Sequence, residues 1–549
     1  MAAKDSFDSS FLAELRSLDS FRRRYSSEQP LAQLDAQDPD VQRMIEVLAF
    51  SAVRTRHAVL RNLSATWRRL LSGYFQALLR PLPAMGMLQA QVTARMTESI
   101  FLPTGTELRV VTADGFEAGF QTLADLQITP MTLDRLELLR GGIGHRLVLT
   151  FSTRIARAEA VGLLRLYLHY LDDYLAALTV HQQLAKHLHR AFVVYDAPVH
   201  DRSDGPACTV TFGRSYDEPY EADEQNPLAA VRSFFHFPEQ ELLVDVAIPP
   251  PSRPWTRLSL CLDLEPAWPR NPPVFRELFH PFVVPVRNLR RAPAQTIDCE
   301  GTKDSHPVRF MHRDASYQLL TVAGVYRITD QGLVPVPAAT LGNSGHGYEI
   351  EYEPAPASLV GEQASLQLRL PEALLEPVRI SVDGYWHQPL LAEHLTGRTS
   401  ASLPERSLTG LELALCGPLR AGISNGLDGN SSALLQLLSL KMKAVLERSD
   451  LVVLLQLLDS VEVGPFRGFM SRVREVAVEV TPDETLRGAG IRHVYHLLTA
   501  PFSGEEEPLW SRFCYQLQSL LDAWDYEGRA EVVLHTELAQ MPAPRLRRK

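Results

Sequence analysis

The sequence predicts an α+β protein of several domains, with long amphipathic helices at the N-terminus, several mainly antiparallel β modules after them, and an α+β C-terminal part. Three observations predict it. Apolar residues recur at three- and four-residue steps from Val41 to Leu78, the period of a helix. After Met85 the period drops to two, with Leu88, Ala90 and Val92 alternating as in a strand. Beyond Ser402, apolar runs of helical length (433–448, 509–524) alternate with short strand-like runs (474–480, 530–538). With 549 residues, 45% hydrophobic and 22% charged, the chain has an ordinary globular composition and length for three or four domains. The expected divisions are 1–85, 86–250, 251–400 and 401–549.

Phe7, Phe11, Leu15, Leu18 and Tyr25 outline a first helix, ending in Arg22-Arg23-Arg24-Tyr25, where cations suit the helix dipole. A polar linker, Ser26 to Gln37, follows. Asp38 is then a suitable cap and Pro39 a suitable first residue for a second helix, because a proline there forfeits no hydrogen bond. Val41, Met44, Ile45, Leu48 and Ala52 form its apolar stripe, which resumes at Leu60, Leu63, Trp67, Leu71, Tyr74 and Leu78 and stops at Pro81 and Pro83. Its arginines fall largely off that stripe. The pattern alone reads as a helical pair covering one end of a larger domain, or as part of a bundle with other chains, and an uncovered apolar stripe favours other chains if the second helix is long. In that case Val41, Met44, Ile45, Leu48, Phe50, Leu63, Trp67 and Leu71 are the residues expected to meet them.

Downstream, Asp114-Gly115 reads as a hairpin turn, since glycine supplies the positive φ that such a turn requires. Strands are expected at 147–151 and 163–169, a helix from Asp172 to about Leu188, and a strand at 192–196. Phe234, Phe235 and Phe237 before Pro238 form a compact aromatic plug, because rings bury large areas at little entropic cost. Residues 257–265 alternate strictly and read as a half-buried strand. The Pro/Gly/Ala-rich stretch from Val334 to Ser365 reads as loop. Strands follow at 366–370 and 378–386, the latter turning at Asp383-Gly384. Asn430-Ser431 is placed to cap a helix over 433–448, with a second apolar run at 451–461.

The net charge of −10 argues against nucleic acid as a partner. The five cysteines are far apart, with no metal-type spacing, and read as free thiols. No stretch is apolar for the roughly 18 residues a membrane span requires, and the N-terminus has no signal-like core, so a cytosolic protein without membrane insertion is expected. Gly422-Ile423-Ser424-Asn425-Gly426 spells the GxSxG of a hydrolase elbow, which would make Ser424 a nucleophile. Pro418 before it and a helix starting only near Ser431 favour a simple turn. His181, His187 and His189 lack the spacing of a metal motif and read as a solvated helix face. The glycine-rich runs at 141–145 and 342–347 lack a phosphate-binding lysine. No active site, metal or cofactor is indicated.

The order of these pieces resembles the TssF (VasA/ImpG) family, baseplate wedge subunits of the type VI secretion system. The resemblance rests on Asp38, Pro39, Val41, Ile45, Glu46, Ala49 and Phe50, then Arg80, Pro81, Pro83 and Met85. It continues in Leu102-Pro103-Thr104-Gly105, in Phe234, Phe235, Phe237 and Pro238, and in Pro285, Asn288 and Leu289. It implies a non-enzymatic structural subunit that pairs with a second copy of itself and with a TssG-like protein. It further implies contacts with a TssK-like adaptor, a TssE-like sheath initiator and a VgrG-like hub, in the bacterial cytoplasm beside the inner membrane. The equivalent wedge of a phage tail or extracellular particle is the near alternative, and a serine hydrolase using Ser424 the distant one.

Overall fold

The computed structural model describes the chain except residues 1, 29–38, 142–143, 172, 214–226, 270–273, 304, 312–315, 340–346, 355–361, 370–376, 395–398, 405–407, 418, 424–430, 459–460, 462–463, 483–490, 525–527 and 537–549. Helix α1 (Ala2–Glu28) and the 41-residue α2 (Pro39–Leu79) come first, followed at once by strands, as the change of period predicts. The α+β class holds. Helix α2 ends one residue before Arg80-Pro81, where the ring of proline removes the donor that another turn requires.

Compactness divides the chain into two discontinuous units: residues 1–79, 293–384 and 426–436, and residues 80–292, 385–425 and 437–549. In the first, α1 packs against α2. The same unit holds an antiparallel pair, Gly347–Pro354 with Glu362–Arg369; residues 366–369 fall in the strand expected there, and the rest lies in the stretch expected to be loop. Tyr348, Ile350 and Tyr352 supply the alternation, and it is masked in sequence by prolines and glycines at both ends of each strand. Strand Val378–His387 runs straight through Asp383-Gly384 without the expected turn. Ile380, Val382, Gly384 and Trp386 keep a period-two burial, and the glycine occupies a buried position without needing room.

In the second unit a closed six-stranded antiparallel barrel runs in the order Met85–Val92, Val283–Arg287, Glu117–Thr122, Glu107–Val111, Ser400–Ser402, Leu411–Leu415 and back to the first. Leu88, Val110, Phe120, Val284 and Val286 are fully buried in it. Gly115 has φ +85 in the hairpin between two barrel strands, as Asp-Gly predicts. Divisions at 250/251 and 400/401 cut across this barrel, whose strands come from both sides of each.

Two four-stranded sheets stand in the same unit. One is ordered Thr209–Phe212, Leu243–Ile248, Gly162–Leu168, Phe279–Pro281 and the other Thr132–Arg140, His145–Arg157, Trp255–Leu264, Leu188–Tyr195. Trp255–Leu264 lies between two neighbours and is buried on both faces, not half-buried as its alternation suggests. Helix α3 (Tyr174–His187) is capped by Asp173, whose carboxylate accepts from the Ala176 N–H at 3.0 Å. Helix α4 (Pro227–His236) carries Phe234 and Phe235 of the aromatic plug at its C-terminal end, and Phe237 follows outside the helix, before the short 3-10 turn Pro238–Glu241.

A single turn, α5 (Leu391–His394), precedes the last two barrel strands. The helix expected over 433–448 is shorter: α6 spans Ser431–Lys441 and a separate α7 spans Arg448–Leu457. Asp450 is the reason. It accepts from Lys443 Nζ at 2.6 Å and from the Glu447 N–H at 3.0 Å, so it caps a new helix at the expense of continuing the old one. After α8 (Phe469–Arg472), Val473–Pro482 pairs antiparallel with Ile491–Thr499, which pairs parallel with Gly528–Thr536 through α9 (Glu507–Trp524).

Candidate interaction surface

Helix α2 has two apolar faces. At 3.6 residues per turn, Ile45, Ala49 and Val53 fall on one side, and Met44, Val47, Leu48 and Val59 on another. Ala49 is 0% and Val53 2% exposed, against α1, and Phe50 meets Phe7 of α1 edge to face with ring centres 5.8 Å apart. Met44 and Val47, each 63% exposed, and Leu48 at 54% face solvent, as do Val59, Leu63 and Phe50. The seam with α1 is therefore rotated from the stripe that sequence periodicity traces. Alanine and valine let the two helix backbones approach, and the larger side chains are left outside.

Of the eight residues expected at an interface, Met44, Leu48, Phe50 and Leu63 are exposed, and Val41 and Ile45 are half-buried. The side chains of Trp67 and Leu71 lie outside the described residues, as does Asp38. Pro39 is the exposed first residue of α2. Sequence reasoning missed Val47 and Val59 on α2 and Leu12, Phe21 and Tyr25 on α1, all exposed. Val47 stands three residues after Met44, a signal that a single-stripe reading passes over.

The chain immediately after α2 is clamped by motifs distant in sequence. The Arg232 guanidinium, on α4, donates to the Arg80 carbonyl, and His236 Nε2 donates to the Pro83 carbonyl at 3.0 Å. The Asn288 N–H donates to the Ala84 carbonyl at 2.8 Å. Leu82 exchanges both backbone hydrogen bonds with Ile423 at 2.8 Å. Burial pushes the His236 imidazole down to about 3, helped by the charges of Arg232, Arg287 and Arg420, so its ring is a neutral donor. Pro81 is half-buried and Pro83 buried; Pro285 sits in a barrel strand, its carbonyl accepting from the Leu123 N–H at 2.9 Å.

Phe234, Phe235, Phe237 and Pro238 are all buried. Phe466 lies against Phe234 and Phe235 with ring centres 5.5 and 5.7 Å away, and Phe469, Trp510 and Phe513 extend the cluster. Arg512 of α9 pairs with Glu241, which also accepts from Gln516 at 3.1 Å. These distant partners carry no local signature.

The chemical alternatives resolve in part. Ser424 lies outside the described residues. His181 and His187 are buried, not solvated: His181 shares a hydrogen bond with the Leu243 carbonyl, His187 contacts Glu265 at 3.4 Å, and His189 has already left the helix for a strand. Among the described residues, no three or more His, Cys, Asp or Glu side chains are grouped to hold a metal ion, and no helix is long and apolar enough to cross a membrane. None of the five cysteines is joined in a disulfide.

Comparison with known proteins bears on the whole arrangement. The family model described as "Type VI secretion system, TssF" matches residues 16–353, more than half of the chain. No curated protein matches. Among solved structures, a chain of the type VI secretion TssK-TssF-TssG baseplate subcomplex, seen by cryo-electron microscopy, aligns with a TM-score of 0.67 at 14% identity. That alignment covers 92% of this chain and 100% of the other. A chain of a type VI secretion baseplate complex aligns with a TM-score of 0.59, also at 14% identity, over 96% of each. By the family model, with a fold like that of baseplate chains along nearly its full length, the chain belongs to the TssF family of the type VI secretion system.

Proposed function

We propose that this protein serves as a wedge subunit of the baseplate and assembles through the helical region, residues 1–85, with helices of neighbouring subunits. The observation that carries the reading is the second apolar face of α2, left open after α1 has covered the first. A helix of 41 residues extends about 60 Å. Along such a length, an apolar stripe gains most by lying against another helix. The solved neighbour described as a TssK-TssF-TssG subcomplex supports a TssG-like protein and a TssK-like adaptor as partners. A second copy, a TssE-like sheath initiator and a VgrG-like hub follow from the family resemblance. The role is structural and non-enzymatic, carried out in the bacterial cytoplasm beside the inner membrane.

Met44→Asp with Leu48→Asp places two charges on exposed positions, where the fold loses little. The double variant is expected to remain folded by circular dichroism and to lose co-purification with the TssG-like protein of the same host. An undiminished complex would refute α2 as the assembly surface.

A further inference from the structure

We propose that the last sheet of the chain binds a divalent transition-metal ion of the imidazole-binding class, held between His496 and His535. In that sheet Val473–Pro482, Ile491–Thr499 and Gly528–Thr536 stand side by side in this order. Ala477 and Val533 are opposite His496 on its two sides, and Glu475 and His535 are opposite Leu498. Successive side chains alternate between faces, so Glu475, Glu479, His496 and His535 share one face. Glu479 and His535 are then diagonal neighbours of His496 on either side, a separation that long side chains bridge. His496 Nδ1 and His535 Nε2 come within 2.9 Å, and Glu479 Oε2 lies 3.9 Å from His496 Nε2.

Two facing ring nitrogens can share a proton, or an ion in its place. Nitrogens about 2.0–2.1 Å from one ion are about 2.9 Å apart when they meet it at a right angle, and about 3.4 Å apart at the tetrahedral angle. The observed spacing fits the first and reaches the second by a small shift of either ring. A shared proton leaves a defect that an ion removes. His496 is 9% exposed, and its Nε2 is enclosed without a hydrogen-bond partner among the described residues. A neutral imidazole carries its proton on one nitrogen only. An ion on Nδ1 obliges that proton to sit on Nε2, facing the Glu479 carboxylate, which accepts it after a small side-chain rotation. A carboxylate behind a ligating histidine fixes the ring and its tautomer in this way. Both rings stay neutral, and His535 keeps its proton on Nδ1. The two imidazoles are the protein's only ligands and water completes the coordination, so no cluster of three acidic, thiol or imidazole groups is required. Mg²⁺ and Ca²⁺, which prefer oxygen ligands, do not suit the site. The ion joins the middle strand to Gly528–Thr536, an outer strand with one neighbour in the sheet.

The test is calorimetric titration of the full, metal-stripped chain with Ni²⁺, Zn²⁺ and Mg²⁺. One saturable equivalent of Ni²⁺ and of Zn²⁺ is expected, with none of Mg²⁺. His496→Gln and His535→Gln should each abolish it, and Glu479→Ala should weaken it by about tenfold. His535 is half-buried and glutamine still hydrogen-bonds, so His535→Gln is expected to keep the wild-type circular dichroism and its loss of uptake reads ligation. X-ray absorption of the bound nickel should show two imidazoles. Added Ni²⁺ should slow hydrogen exchange in Gly528–Thr536 of the wild type and leave folded His535→Gln unchanged. The chain has 17 histidines, so equal uptake by the wild type and both glutamine variants places the ion elsewhere and overturns the proposal. Absence of saturable uptake by the wild type overturns it too, as does nickel bound by fewer than two imidazoles. Unchanged exchange at saturating Ni²⁺ overturns the bridging of the two strands.

Discussion

At Asn288 one side chain ties three segments together. Its Nδ2 donates to the Gly119 carbonyl at 2.8 Å and to Gln388 Oε1 at 3.2 Å, and its Oδ1 accepts from the Gln388 N–H at 2.8 Å. Gln388 answers by donating to the Glu117 carbonyl and accepting from the Gly119 N–H. Asn288→Ala leaves buried groups without partners and should destabilise the protein by about 2–4 kcal/mol in denaturant titration, while Asn288→Asp fails to restore it because it cannot donate. A second residue-scale effect concerns acid. Burial lowers His181 and His387 to about 4 and His236 to about 3. The unfolded chain takes up these protons from about pH 6.5 downward, and the folded chain does not until near 4. Stability is therefore fully present above pH 6.5 and falls as pH drops toward the folded values, by up to about 1.4 kcal/mol per pH unit for each histidine. Melting temperature should decline from pH 7 to pH 5, and His387→Phe should flatten that decline. An unchanged slope in the variant would show that His387 already titrates normally in the folded chain.

Helices α3, α4 and α9 meet around Phe466, whose ring also lies edge-on to Tyr174 of α3 at 6.3 Å. Removing it in Phe466→Ala empties the centre of the cluster and should cost about 3–5 kcal/mol, with faster hydrogen exchange concentrated in α4 and α9. This cluster shows where sequence legibility ends. Phe234, Phe235, Phe237 and Pro238 announce a plug because they are adjacent, but Phe466 and Phe513 are more than 200 residues away and look like ordinary apolar residues. The ends of α2 were legible for the same local reason: Pro39 opens it and Pro81 closes it. Which of its faces α1 covers was not. Periodicity records where apolar residues stand, and Met44 on the open face is as apolar as Val53 on the covered one. Close approach at Ala49 decided the matter, and only packing reveals it. Similarly, a helix over 433–448 was plausible until Asp450 bound Lys443 and the Glu447 N–H.

For the molecule as a whole, the barrel makes folding a long-range affair. The strands of the sheet are legible singly, but their closure joins residues that are hundreds of positions apart: Leu88 pairs with Leu415 on one side and with Val284 on the other. A chain divided into consecutive modules should survive loss of its last one, and this chain should not. Ending the polypeptide after Thr399 removes Ser400–Ser402 and Leu411–Leu415, the two strands that connect Glu107–Val111 to Met85–Val92. Both of those strands then become open edges, each with unpaired backbone groups and a buried apolar row exposed. The same cut removes Phe466, Phe469 and Phe513, so Phe234 and Phe235 lose their cover as well. The truncated chain is expected to be insoluble or to lack a cooperative thermal transition. Supplying 400–549 as a separate polypeptide during co-expression should restore a soluble complex, because the missing strands can pair from a second chain as they do from the first. A truncated chain that melts cooperatively on its own would show that residues 1–399 hold a complete core, and that the strands after Thr399 are an addition to the barrel and not its closure.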